Sequence, residues 1–200
     1  AQTISQFRLD RQPFDDLLDA FRQDQHQRRY ETIDELIHYC QRSANPVGRI
    51  VLRMGSADDD ETNLALSDQI CTGLQLANFW QDVARDYAIG RIYVPRSELR
   101  AFGITESQLG CMAKHRSTTP ALRRLLEHQC HQTEALFHRG MPLCERVPAW
   151  LGRSVRLFAH GGLATLDALR AIDFDVMRTR PRVRKATQAR LVLRALLAHR

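Results

Sequence analysis

Residues 73–95 read GLQLANFWQDVARDYAIGRIYVP, and the rest of the chain is best read outward from them. Leu74, Leu76, Ala77, Phe79, Trp80 and Val83 recur at helical spacing and cover most of a helix circumference. Gln75, Asn78, Asp82 and Asp86 are spaced three, four and four apart, and at about 100° per residue they share a strip about 80° wide. Two carboxylates one turn apart offer hard oxygen ligands on one face, with amide side chains preceding them. That set suits Mg²⁺, which takes a few carboxylates and completes its shell with water and substrate phosphate. Beyond the helix, Gly90 permits a turn and Arg91 offers a planar donor fork for a phosphate. Gln81 and Arg85 extend the polar strip, so an ordinary solvated face accounts for the same spacing. Against that reading, a helix so apolar around its circumference belongs in the centre of a fold, where carboxylates need a cation.

Outward from this stretch, the whole chain reads as helices. Periodicity predicts them near 14–25, 32–54, 61–87, 106–113, 119–138, 147–171 and 185–199, with a short turn at 97–99. Breaks fall near 10–13, 55–60, 88–95, 140–142 and 178–182, where Gly, Pro and polar residues cluster. Only RIYVP, residues 91–95, resembles a strand, and there is no internal repeat. The fold class is therefore all-α, in one domain spanning 1–200.

Two acidic runs are set aside. Asp15, Asp16 and Asp19 match D-D-x-x-D, but they fan over one side of a helix whose other side carries Phe14, Leu17, Leu18 and Phe21. A solvated acidic face explains them. The run Asp58-Asp59-Asp60-Glu61 precedes a long helix, where carboxylates complement the helix N-terminus, and it lacks the alternating ligands of a calcium loop.

Hydrophobic residues make up 44% and charged residues 26%, an ordinary globular composition. No run of about 18 apolar residues predicts a membrane-spanning helix. The start, AQTISQFRLD, has neither a signal-peptide pattern nor an initiator Met, so the chain is expected to begin inside a longer product. The five cysteines form no C-x-x-C pair, which argues against a zinc site and for a reducing, cytoplasmic setting. A net charge of +6 favours anionic partners, and the basic residues crowd into the tail: Arg178, Arg180, Arg182, Arg184, Lys185, Arg190 and Arg194. A basic helical module for nucleic acid or a membrane surface is the rival reading. The tail has no aromatic residues for base stacking, so nucleic acid is not expected, whereas contact with anionic lipid is compatible with it.

The segment Q-L-A-N-F-W-Q-D-V-A-R-D-Y-A-I-G-R-I-Y-V-P, from Gln75 to Pro95, resembles the second aspartate-rich motif of the squalene/phytoene synthase family. It departs at Gln81, where that family usually has Arg. A second segment, Y-C-Q-R-S-A-N-P-V-G from Tyr39 to Gly48, resembles the family's Y-C-x-x-V-A-G-x-V-G helix. In both segments the variants F-W-Q-D and S-A-N-P-V-G are similar to the hydroxysqualene-forming branch. Pro46 should kink its helix, and Gly48 should allow a close approach.

The resemblance implies an isoprenoid synthase helical bundle with a central apolar cavity. It implies that Asp82 and Asp86 hold Mg²⁺ and that Tyr39 lies near a reacting carbocation. Gln75, Asn78, Arg91, Tyr93, Ser43 and Asn45 become substrate-binding candidates, the last two as groups that orient water. The implied reaction is ionisation of presqualene diphosphate with water capture to give hydroxysqualene. The alternative is condensation of two prenyl diphosphates such as farnesyl diphosphate. Partner enzymes of squalene synthesis, and peripheral contact with the inner membrane face, would suit either. The family's first aspartate-rich motif lies upstream of the Y-C segment, and no segment before Tyr39 matches it. The domain is thus expected to be N-terminally incomplete, and these residues alone to lack turnover.

Overall fold

The computed structural model describes residues 2–55 and 60–197 of the 200-residue chain. Asp58 and Asp59 of the second acidic run, and His199 at the expected end of the last helix, lie outside the described residues. Among the described residues twelve helices follow one another: α1 (Gln2–Phe7), α2 (Gln12–Gln23), α3 (Ile33–Ser43), α4 (Asn45–Met54), α5 (Glu61–Gln81), α6 (Val83–Ala88), α7 (Arg96–Ala101), α8 (Glu106–His115), α9 (Pro120–Gly140), α10 (Leu143–Arg146), α11 (Ala149–Ala171) and α12 (Lys185–Leu197). The sequence reading lacked α1 and α10, two short elements, and ran two pairs of helices together.

Helix starts follow local chemistry. Thr32, Asp60, Thr105 and Thr119 each accept a backbone N–H of the first turn, and Thr105 with Gln108 completes a reciprocal capping box. The helix expected over 32–54 breaks at Ala44, whose φ of −127° lies outside the helical region, and α4 restarts with Pro46 in its first turn. A proline there gives up an N–H that has no intrahelical acceptor anyway, so the expected kink becomes a helix boundary.

α5 is the central helix. It packs most extensively on α9 and also against α11, α4 and α3. Its buried residues, among them Ile70, Leu76, Phe79 and Trp80, face several directions, as the apolar circumference required. Trp80 is fully buried, and its indole N–H donates to Thr133 Oγ1 at 2.8 Å; Thr133 in turn donates to the Gln129 carbonyl of α9 at 2.8 Å. A buried polar pair satisfied in this way fixes the register of α5 on α9.

On α2 the acidic residues are spent locally. Asp15 pairs with Arg11, Asp19 with Arg22, and Gln12 donates to Asp16. That agrees with a solvated face, although Leu18 and Phe21 on the apolar side are also exposed. RIYVP forms no strand; Ile92 makes a single parallel bridge with Arg29. Gly90, at φ +79°, makes the turn that leads into it, a conformation that side chains with a Cβ resist.

Candidate active site

The expected helix over 61–87 is interrupted at Asp82, which has φ −107° and ψ 14° between α5 and α6. The helical hydrogen bonds nevertheless run through the interruption: Asp82 N–H donates to the Asn78 carbonyl at 3.0 Å, and Asp86 N–H to the Asp82 carbonyl at 2.8 Å. Asn78, Asp82 and Asp86 therefore keep their one-turn spacing. Gln75 is half-buried on this strip and Asn78 exposed.

Both carboxylates sit among cations. Arg180, from the tail, pairs with both oxygens of Asp82, its Nη2 lying 3.0 Å from Oδ2; Arg85 Nη1 is 4.0 Å from the same oxygen. Asp86 is partly buried. Burial first, and the neighbouring Asp82 second, push its carboxyl up to about 6, against the pull of Arg85, Arg91 and Arg180.

Arg91 is held beside this pair. Its backbone N–H donates to the Asp86 carbonyl at 2.8 Å. Its guanidinium donates to the Tyr93 hydroxyl at 3.0 Å and to the Asp24 carbonyl at 3.0 Å, and lies 3.4 Å from Asp24 Oδ2. The Tyr39 hydroxyl donates to the other oxygen, Asp24 Oδ1, at 2.9 Å. Asp24 thus ties Tyr39 on α3 to Arg91 after α6. Tyr39, Tyr93 and Phe79 form a buried aromatic cluster in which Phe79 stacks on Tyr93 with centroids 3.9 Å apart. Burial, then Tyr93 and Asp24, push the Tyr39 phenol far up, so it stays protonated as a donor.

The remaining candidates divide. Ser43 lies one turn after Tyr39 on α3, and its buried Oγ has no hydrogen-bond partner among the described residues. Asn45 is buried and its Oδ1 accepts from Thr72 of α5 at 3.0 Å, so that oxygen is already committed to holding α4 on α5. Gly48 lets the same helices approach: a Cβ there would collide with Ser67 and come within 2.6 Å of Cys71 Sγ.

Beside Gly48 lies an apolar groove of about 200 Å³, lined by Val47, Val51, Cys71, Leu74, Val155 and Phe158 among others. Val47, Val51 and Phe158 are exposed, so the expected cavity is open on this side. Ser67 and Cys71 on α5 lead by helical steps to Gln75, Asn78 and Asp82, so one face of α5 runs from the apolar groove to the carboxylates.

Asp82 and Asp86 fit a divalent cation as far as they go: hard oxygens, one turn apart, with the Asp86 carboxyl raised by burial and by its neighbour Asp82. Among the described residues no group of three or more His, Cys, Asp or Glu side chains converges. Two residues of this site escaped the sequence reading. Asp24 sits between two glutamines with no pattern to mark it, and Arg180 was one basic residue in a basic tail.

Known proteins place the chain in context. The family model described as squalene/phytoene synthase matches residues 1–187. A hydroxysqualene synthase of Rhodopseudomonas palustris is 40% identical over 133 residues, covering 66% of this chain and 44% of that protein. A chloroplastic phytoene synthase of Daucus carota is 32% identical over 197 residues, covering 93% of this chain and 47% of that one. The crystal structure of squalene synthase HpnC from Alicyclobacillus acidocaldarius superposes with a TM-score of 0.80 at 41% identity, over 86% of this chain and 64% of that chain. The chain thus spans less than half the length of the curated relatives it matches.

Proposed function

The chain belongs to the squalene/phytoene synthase family, and from that premise we propose that the protein carrying it ionises presqualene diphosphate and captures the rearranged cation with water to give hydroxysqualene. The observation that carries the reading is the meeting of a carboxylate pair and Arg91 with a buried aromatic cluster, on a helix face that continues into an apolar groove. An amphipathic diphosphate needs both ends of such a path.

Asp82 and Asp86 would hold Mg²⁺, supplying about half of a ligand set that the rest of the full-length protein completes. Bound there, Mg²⁺ would neutralise diphosphate charge and so favour its departure. Arg91 offers its fork to the same leaving group, with Asp24 and Tyr93 fixing its direction. Gln75 and Asn78 present amides on the approach to the carboxylates. The faces of Tyr39, Phe79 and Tyr93 suit a passing carbocation, because an aromatic quadrupole attracts positive charge. Ser43, with an unspent hydroxyl one turn from Tyr39, can orient a water; Asn45 contributes through the α4–α5 contact. The apolar groove would take the hydrocarbon part of the substrate. No nicotinamide cofactor enters this scheme.

The same reading places the protein in the cytoplasm, working beside other enzymes of squalene synthesis. Among the described residues no helix is long and apolar enough to cross a membrane. Peripheral contact is supported by α12, where exposed Val192, Leu193, Leu196 and Leu197 lie among Arg190 and Arg194. The nucleic-acid reading loses ground because Arg180, near the start of the basic tail, is engaged with Asp82.

Product analysis tests the proposal. The full-length protein is given presqualene diphosphate or farnesyl diphosphate, with Mg²⁺ and no reductant. Hydroxysqualene from presqualene diphosphate is expected. A hydrocarbon product from farnesyl diphosphate, without hydroxysqualene from either substrate, would move the assignment to the condensing branch.

A further inference from the structure

The chain between α11 and α12 crosses the carboxylate site as an extended strap. Residues 178–184 form no helix, and three contacts seat them. Arg116 donates to the Arg178 carbonyl at 3.0 Å. Gln81 donates from Nε2 to the Pro181 carbonyl at 2.7 Å, and its Oε1 accepts from Arg180 Nη2 at 3.1 Å. Gln81 is buried, with 9% of its surface exposed, and both ends of its carboxamide are used on this one strap. With the strap so held, the Arg180 guanidinium covers Asp82 through Nε and Nη2 together.

A paired guanidinium occupies both carboxylate oxygens, the same atoms a divalent cation would use. The two cannot share Asp82 closely, since a like charge beside a bound cation is repelled. We propose that Gln81 is a positioning residue for a latch: it seats the 178–184 strap so that Arg180 closes over Asp82, and cation binding requires Arg180 to leave. The tail is then a device that couples occupancy of the carboxylate site to the order of the strap leading into α12. This rests on the reading of Asp82 as a cation ligand given above.

The test uses the full-length protein without substrate. Mn²⁺ binding is followed by electron paramagnetic resonance, and amide hydrogen exchange over residues 178–184 is measured with and without saturating Mn²⁺. Exchange in the strap is expected to rise when wild-type protein is saturated. Arg180→Met should bind Mn²⁺ roughly threefold to fivefold tighter, the worth of one half-exposed charge pair. Arg182→Met, which removes the same charge from an exposed side chain of the same strap, should show a smaller gain. Gln81→Ala should raise strap exchange before any Mn²⁺ is added. If Arg180→Met misfolds, Arg180→Lys keeps the charge, loses the fork, and should tighten binding to a lesser degree. Strap exchange indifferent to Mn²⁺, or Arg180→Met and Arg182→Met behaving alike, overturns the latch while leaving the cation assignment intact. Asp82→Asn binding Mn²⁺ as tightly as wild type overturns both, and is recognised by that result alone.

Discussion

Replacing Asp24 with Asn keeps the shape of the residue that joins Tyr39 to Arg91 and removes its charge. In the native protein Oδ1 accepts from Tyr39 and Oδ2 faces Arg91, with the two side chains of the ion pair 19% and 27% exposed. Asn can still accept from Tyr39 through its single carbonyl oxygen. Its NH₂ would then point at a guanidinium that is itself only a donor, so the contact with Arg91 is lost and turned against itself. A hydrogen bond to a charged group contributes about 1.5–3 kcal/mol, and this pair is shielded enough to retain much of it. For a domain of this size each kcal/mol moves the melting temperature by about 2–4 °C, so a fall of about 3–12 °C is expected. Arg91 keeps its bond to the Asp24 backbone carbonyl and is displaced rather than freed. A displacement of that kind costs roughly tenfold to a hundredfold in kcat/KM. Calorimetry and steady-state diphosphate release on the full-length protein read the two effects. Combining Asp24→Asn with Tyr39→Phe should show a coupling of about 1 kcal/mol. If Asp24→Asn melts within a degree of wild type and turns over normally, Asp24 does not organise the site.

Other substitutions probe separate links. Asp86 has a folded pKa raised above its unfolded value, so between about pH 4 and 6 the folded state holds more protons and stability falls as pH rises. Asp86→Asn should therefore melt higher than wild type above pH 6 without Mg²⁺, with the gain vanishing below about pH 4 in a melting series. Val51→Asp puts a charge in the open apolar groove; because Val51 is already 41% exposed, stability should hold while KM for presqualene diphosphate rises at least roughly tenfold, the penalty of an unpaired charge against hydrocarbon. Trp80→Phe deletes the indole that donates to Thr133 in the α5–α9 interface and should cost about 2–4 kcal/mol in denaturant unfolding, with product identity unchanged.

The fold class was legible because its evidence is local. The apolar circumference of residues 74–83 says that α5 is central, and it is. The break at Ala44 was half visible: Pro46 announced a disturbance, and its tolerance in a first helical turn turned a kink into a new helix. The break at Asp82 was not visible, since Gln-Asp-Val carries no breaker. It falls where Gln81 and Asp82 meet a strap about a hundred residues further on, and no periodicity reports a contact across that distance. The same limit hid Asp24, whose partners are Tyr39 and Arg91. Leu18 and Phe21, on the side of α2 opposite its carboxylates, are exposed as well, and the amphipathic pattern does not by itself show it. Spacing placed Asp82 and Asp86 on one face; resemblance, not spacing, supplied their chemistry.

The central claim is that Asp82 and Asp86 hold the cation over which a prenyl diphosphate ionises. Mg²⁺-dependent diphosphate release from presqualene diphosphate, measured on the full-length wild type, Asp82→Asn and Asp86→Asn with helical content checked for each, tests it most directly. The account predicts that each variant keeps its helical content and loses at least about a hundredfold in rate, the order of one electrostatic contact made in the transition state. Near-normal, Mg²⁺-dependent release by both variants would contradict it.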